Sequence, residues 1–373
     1  MMNGLPPSKG SFPMMAAHLL KCELKRFLPW HQARIDCLAQ LIVAMVQVRT
    51  VNLTQLALAF DALVQRESVY QRVKRFFRHH QFETDLVAVL VTSWLDLGKR
   101  WVLCLDRTTW QLGRTPINGL VLSVAYAGVS VPLMWTVLGK KGNSSTEERI
   151  ALIERFLRRF PPERIECLMA DREFRGHQWL SYLIRRGIAF RLRIPNNTKT
   201  HNRQRNARLP VTRLFSIQSG ETMILNRPRR LWGHTLYLVG TRAPSGEYVI
   251  IITTHAPEQA LEDYRQRWQT ECLFAAMKRR GFNLEDTHIT DPDRVARLIA
   301  VMTLALCWCY KVGLWLNQQQ PIVIKKHQRR ACSVIRLGLD TLRRVLLNGA
   351  SQTPQIRDWI HFLFDKKVII ANT

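Results

Sequence analysis

Three carboxylates in this sequence stand where carboxylates can do chemistry. Asp106 ends the apolar run WVLCLD, and Asp171 ends IECLMAD. Both runs have the composition of buried strands, and the carboxyl ends of strands in an α/β sheet are where sites are usually built. Glu271 stands in DYRQRWQTECLFAAMKRRG, residues 263–281. There Tyr264, Arg267, Glu271 and Lys278 are 3, 4 and 7 residues apart, which on a continuous helix places all four on one stripe. Three carboxylates around one point make an all-oxygen site for a hard cation. Two Mg²⁺ ions about 3.5–4 Å apart in such a site activate a water or hydroxyl and stabilise the leaving oxygen of a phosphodiester. Arg267 would lie one turn before Glu271, Tyr264 two turns before and Lys278 two turns after, a span of about 21 Å. Two cations and a phenol so spaced can hold the phosphates beside a cut.

Each residue alone has a plainer reading. Either Asp can be a turn or cap residue, and Arg267 with Glu271 an ordinary surface ion pair. Tyr264 can be core edge and Lys278 a solvated side chain. It is their joint occurrence in a very basic chain that points to phosphodiester chemistry. The 373 residues carry a formal net charge of +27 and a pI near 10.6. A field of that size attracts polyanions, nucleic acid first and an anionic membrane second.

The elements that must position these residues follow from periodicity. Residues 13–98 read as helices only. Asn52-x-x-Gln55 and Ser68-x-x-Gln71 have the form of capping boxes. Two short helices joined by a tight turn there resemble a helix-turn-helix. Arg72, Lys74, Arg75 and Arg78 then make the second helix either a DNA-reading helix or a solvated basic face. From 101 the pattern changes to strands, then to alternating helix and strand, which predicts a mixed sheet with helices on its faces. Ser145-x-x-Glu148 caps the first of those helices. Residues 195–256 form a basic, β-rich insertion, and a helix follows from near Pro257. The expected division is a helical DNA-binding domain at 1–98, an α/β catalytic domain at 99–316 and a basic helical region at 317–373.

Other classes fit less well. The segment 298–316 is barely long enough to cross a membrane, carries Lys311 in its last third and has no companion, so a buried core helix is expected. The N-terminal residues lack an apolar signal core, which predicts a cytoplasmic protein working at the nucleoid. The eight cysteines show no zinc-ligand spacing and are expected to be reduced core residues.

The Tyr-(2)-Arg-(3)-Glu-(6)-Lys spacing of Tyr264, Arg267, Glu271 and Lys278 resembles the signature of bacterial cut-and-paste DDE transposases, the insertion-sequence-four family. LDRTT around Asp106 and MADREFRG around Asp171 resemble that family's two Asp blocks. The resemblance covers about 101–350. It implies an RNase H-like catalytic core with a β-rich insertion before the Glu-bearing helix. It implies that Asp106, Asp171 and Glu271 bind two Mg²⁺ or Mn²⁺ ions. It also implies end cleavage and strand transfer, through a hairpin on the element's own end, by a homodimer on double-stranded DNA bearing terminal inverted repeats, followed by attack on target DNA. In hairpin-forming relatives an aromatic of the insertion stacks on a flipped base. Trp232 is the one Trp of the insertion here, and a strand position would instead bury it. The alternative is a degenerate, inactive DNA-binding or inhibitory derivative, which the intact set of acids argues against.

Overall fold

The computed structural model describes residues 11–60, 64–80, 83–202, 207–278, 280–326, 330–348 and 353–364. In chain order the helices and strands begin with α1 (Ser11–Leu24), α2 (Gln32–Val48), α3 (Leu53–Leu58), α4 (Arg66–His79) and α5 (Asp85–Trp94). Strands β1 (Trp101–Leu112), β2 (Thr115–Tyr126) and β3 (Val129–Leu138) follow, then α6 (Thr146–Leu157), β4 (Ile165–Ala170), α7 (His177–Arg185) and β5 (Phe190–Ile194). The insertion holds β6 (Lys199–Asn202), β7 (Ala207–Pro210), β8 (Thr222–Ile224), β9 (Arg229–Leu231), β10 (His234–Arg242) and β11 (Tyr248–Thr253). The chain closes with α8 (Ala260–Arg265), α9 (Trp268–Met277), α10 (Pro292–Gln319), α11 (Val334–Asn348) and α12 (Thr353–Phe364).

These elements make two compact units. One comprises residues 97–108 and 119–272, the other 1–96, 109–118 and 273–373. The first is built on the sheet, whose order is β3-β2-β1-β4-β5-β11-β10-β8, with β9 paired to β10. β4 runs parallel to β1 and to β5, whereas β11, β10 and β8 add on antiparallel. This is a mixed α/β fold on a central mixed sheet, consistent with an RNase H-like core. The insertion is β-rich as expected: four of its strands, β8 to β11, join the sheet, and β6 pairs with β7 apart from it. Apolar runs place β1, β4 and β5 in the middle, where Leu103, Leu105, Leu168, Met169 and Leu192 are fully buried. The Ser145–Glu148 capping box forms in both directions at the start of α6. β1 does not stop near Asp106, as its apolar run suggested, but continues to Leu112. Its outer half alternates, burying Trp110 and Leu112 between exposed neighbours, so it forms strand without an apolar run.

The second unit is helical and draws on both ends of the chain. Its centre is α10, which packs against α2, α4, α5, α11 and α12. α10 has the length and composition of a membrane span, yet 94% of its apolar window is buried. Lys311, buried in its last third, donates to the carbonyl oxygens of Phe362 and Leu363 at 2.6 and 3.0 Å, meeting acceptors that the C-terminus of α12 leaves over. Asn52 caps α3, accepting from the N–H of Thr54 and Gln55. Ser68 caps nothing: α4 already begins at Arg66 behind Gln65, so Ser68 lies inside it. Cys104, Cys167, Cys307 and Cys309 are buried as expected, but Cys22 and Cys272 are exposed.

His80, at the C-cap of α4, gives this unit a pH dependence. It packs edge-on to Trp30 and Phe76, and Arg297 donates to its carbonyl. Burial, helped by the charges of Arg34 and Arg297, lowers its pKa from 6.5 to about 4. A depressed folded pKa means that stability present above 6.5 is lost as pH falls toward 4. The urea midpoint is therefore expected to fall between pH 6.5 and 4, less steeply in His80→Phe. Equal slopes in the two proteins would show that His80 stays out of the acid transition.

Candidate active site

The parallel register of β1 and β4 ends at Leu105 opposite Ala170, so Asp106, within β1, and Asp171, just past β4, both follow where the pairing stops. Asp106 accepts from the backbone N–H of Arg107 at 2.8 Å through one oxygen and from Arg267 Nη1 at 2.8 Å through the other. Burial pushes its carboxyl up to about 6, against the opposing pull of Arg267 and the Arg107 N–H; Asp171 and Glu173 add to the rise. Asp171 Oδ1 lies 3.5 Å from the Tyr264 hydroxyl. Beyond it the chain turns, with the Phe174 N–H on the Asp171 carbonyl and the Phe174 ring fully buried.

Residues 263–281 are not one helix. α8 ends at Arg265 and α9 begins at Trp268. Between them the N–H groups of Gln266, Arg267, Gln269 and Thr270 each bond three residues back, to Asp263, Tyr264, Gln266 and Arg267. The tighter winding takes Tyr264 and Arg267 off the stripe that a continuous helix would give. α8 is pinned by Asp263, which pairs at 3.1 Å with Arg191, a charge almost fully buried in β5.

The break leaves Arg267 between two acids. Its Nη1 meets Asp106 and its Nη2 meets Glu271 at 2.6 Å, and its guanidinium lies 5.8 Å from the Tyr264 ring centre. Burial works against the charge, but Tyr264, Asp106, Asp171 and the bond to Glu271 outweigh it and hold Arg267 above its ordinary pKa. The Tyr264 phenol is also raised, by burial first, with Arg267 opposing. Glu271 remains partly open to solvent, whereas Arg267 is nearly covered. Thus Asp106, Asp171, Tyr264, Arg267 and Glu271 form one connected set. Lys278 belongs to the helical unit, where its ammonium donates to the Thr109 carbonyl at 2.9 Å.

Trp232 is not a strand residue. The segment LWGHTLYLVG breaks into β9, a turn and β10, and Trp232 with Gly233 makes the turn at φ 47° and 83°. Asn or Gly would suit the first position; a Trp there is strained. His177 Nδ1 donates to the Trp232 carbonyl at 2.8 Å. The half-buried indole lines a cleft of about 560 Å³ with Arg175, Lys199, Arg208 and Arg230.

On α4, Lys74, Arg75 and Arg78 are exposed, but Arg72 is committed to Asp36 at 2.6 Å. α3 ends at Leu58 and α4 begins at Arg66, and the residues that would form the turn between them lie partly outside the described residues.

Among the described residues no three His, Cys, Asp or Glu side chains stand together closely enough to hold one ion. The donor chemistry nevertheless suits a hard cation. Asp106 and Glu271 already share one positive group, and Asp171 adds oxygens at the adjacent strand end. Removing the cation between the acids has a calculable sign. Arg267→Gln leaves Asp106 buried beside other acids, so the metal-free protein should lose about 3–5 kcal/mol. Urea unfolding measures this, and an unchanged midpoint would show that the acids do not need the guanidinium.

Sequence reasoning missed Arg191, Asp263, Arg107 and Glu173 as supports. Arginine inside the strand-like IAFRLRI was the one available signal. A family model described as Transposase DDE domain matches residues 97–308. No curated protein matches the chain. The matched span contains both Asp blocks, the insertion, α8 and α9. The chain belongs to the transposase DDE domain family and is a DDE transposase, an enzyme that acts on DNA.

Proposed function

We propose that this enzyme is a cut-and-paste transposase of the insertion-sequence-four type, with Asp106, Asp171 and Glu271 as its catalytic acids. The observation that carries the reading is the bridge from Asp106 through Arg267 to Glu271, with Tyr264 joining Asp171. The acids would hold two divalent ions, Mg²⁺ or Mn²⁺, which when bound supply an activated water or 3′-hydroxyl and balance charge at the leaving oxygen. Arg267, released from the acids, and Tyr264 bind phosphate oxygens beside the cut, and Lys278 a more distant phosphate. One strand is nicked at the element's end. The freed 3′-hydroxyl then attacks the opposite strand and forms a hairpin, with Trp232 stacked on a displaced base. Water reopens the hairpin, and the 3′-hydroxyl joins target DNA.

The helices before 98 and the exposed Lys74, Arg75 and Arg78 contribute end recognition, with Arg72 shaping the helix through Asp36. A homodimer would hold the two inverted-repeat ends, and the site of action would be the nucleoid. The N-terminal helices are the proposed DNA-binding part, 99–316 the catalytic part and 317–373 a basic accessory region.

The test is cleavage of a labelled duplex carrying the gene's own flanking repeat, with Mg²⁺, with Mn²⁺ and with a chelator. Metal-dependent cutting at the repeat's end is expected, and a hairpin product on denaturing gels marks the finer mechanism. Binding without cutting under either metal would favour an inactive derivative.

A further inference from the structure

Arg107 follows Asp106 directly, and Glu173 lies two residues after Asp171. Arg107 Nε donates to both oxygens of Glu173 at 3.1 and 3.3 Å, and its Nη2 donates to Oε2 at 3.1 Å. Nη2 also reaches Asn143 Oδ1 at 3.2 Å. Both side chains are about four-fifths covered, so the fork is better shielded than a surface pair. Its position is what separates it from an ordinary stabilising contact. The backbone register joining β1 to β4 ends one residue before each Asp. From there no ladder bond fixes the distance between the two chains, and the second turns away at Phe174. That loop is anchored at its far end, where Phe174 is buried under the Arg149 guanidinium, 4.9 Å from the ring centre. Arg149 is itself held by the hydroxyl and carbonyl of Ser144. The Arg107–Glu173 fork closes the near end.

We propose that Arg107 and Glu173 are positioning residues that set the separation of the Asp106 and Asp171 carboxylates. The inference rests on the reading of those two Asp as metal-binding acids. The fork does a second thing. It engages Glu173, a further acid beside the pair, and keeps it from joining the ligand set and changing the number of carboxylates an ion meets.

The test uses the full chain bound to its end duplex and reads Mn²⁺ affinity by electron paramagnetic resonance, together with kcat and KM for cleavage. The variants are Arg107→Gln, Glu173→Gln, Arg107→Lys and the exchange Arg107→Glu with Glu173→Arg. Far-UV circular dichroism and urea midpoints show which of them fold. Loss of a supporting partner typically weakens metal binding by about 10–100-fold. Arg107→Gln and Glu173→Gln are expected to fall in that range, with kcat lowered and KM for DNA little changed. Arg107→Lys, which keeps charge but not the fork, is expected to be intermediate, and the exchange to recover part of the loss. If the neutral variants do not fold, Arg107→Lys and the exchange decide: wild-type Mn²⁺ affinity in the first, or no recovery in the second, overturns the proposal. Asp171→Asn separates the two levels. Retained Mn²⁺ binding there overturns the reading of the acids. Loss there, with wild-type affinity in the neutral Arg107 and Glu173 variants, overturns the positioning role alone.

Discussion

Glu271→Gln is expected to lower the rate of DNA end cleavage by at least about 10³-fold, about 4 kcal/mol of transition-state stabilisation, while leaving DNA binding in place. Gln keeps the shape of Glu and can still meet solvent, and Glu271 is less buried than Asp106. The fold should therefore tolerate the change. What is lost is the charge that a divalent cation needs, and an amide oxygen is a much weaker ligand for a hard ion. Asp106→Asn should fail as completely for the same reason. Its effect on stability should differ, because it relieves a buried carboxyl whose pKa burial has raised to about 6. A cleavage assay beside a mobility-shift assay separates these effects. Cutting by Glu271→Gln at a rate within tenfold of wild type would remove Glu271 from the chemistry and leave the Arg267 bridge as a structural ion pair.

How far the sequence disclosed this site depended on the range of the forces involved. The buried stretches of β1 and β4 were legible because a central parallel strand, covered on both faces, needs a continuous apolar run, and an Asp follows each run. The outer half of β1 was not, since RTTWQL alternates and pays no attention to the apolar-run rule. The break at Gln266–Arg267 carries no Pro or Gly. It arises from tertiary demands, with Asp263 tied to Arg191 on one side and Arg267 drawn to Asp106 on the other. Offsets within 264–278 thus singled out Tyr264, Arg267 and Glu271, which the fold brings together, on a wrong picture of a straight stripe. Trp232-Gly233 was readable in principle, because a Gly after a bulky residue between alternating segments can mark a hairpin turn. Arg107 and Glu173 are 66 positions apart, and no local pattern announces such a pair. The helical unit was illegible as a unit, because periodicity shows that a helix has a buried face and not which distant helix covers it.

Gly338→Ala is expected to destabilise the helical unit by about 3 kcal/mol or more, against the direction of helix propensity, which favours Ala over Gly by about 1 kcal/mol. A Cβ on Gly338 would lie 1.7 Å from the Cys309 carbonyl oxygen and 2.7 Å from the Gly313 amide nitrogen. A Cβ on Gly313 would lie 2.0 Å from the Val334 carbonyl oxygen. α10 and α11 therefore meet backbone to backbone at these two glycines, and no rotamer change can make room. The helices must separate, opening gaps around neighbours such as Leu339 and Leu342, which are fully or almost fully buried. Separation by one Cβ also makes part of the space that the second needs, so Gly313→Ala with Gly338→Ala should cost less than the sum of the two. Gly139→Ala, where nothing lies within 4 Å of the added carbon, is the control and should change stability little. Urea unfolding of the four variants beside wild type checks the set. A Gly338→Ala variant as stable as wild type would mean that α10 and α11 stand further apart, and additive costs would mean that the two glycines do not share one contact.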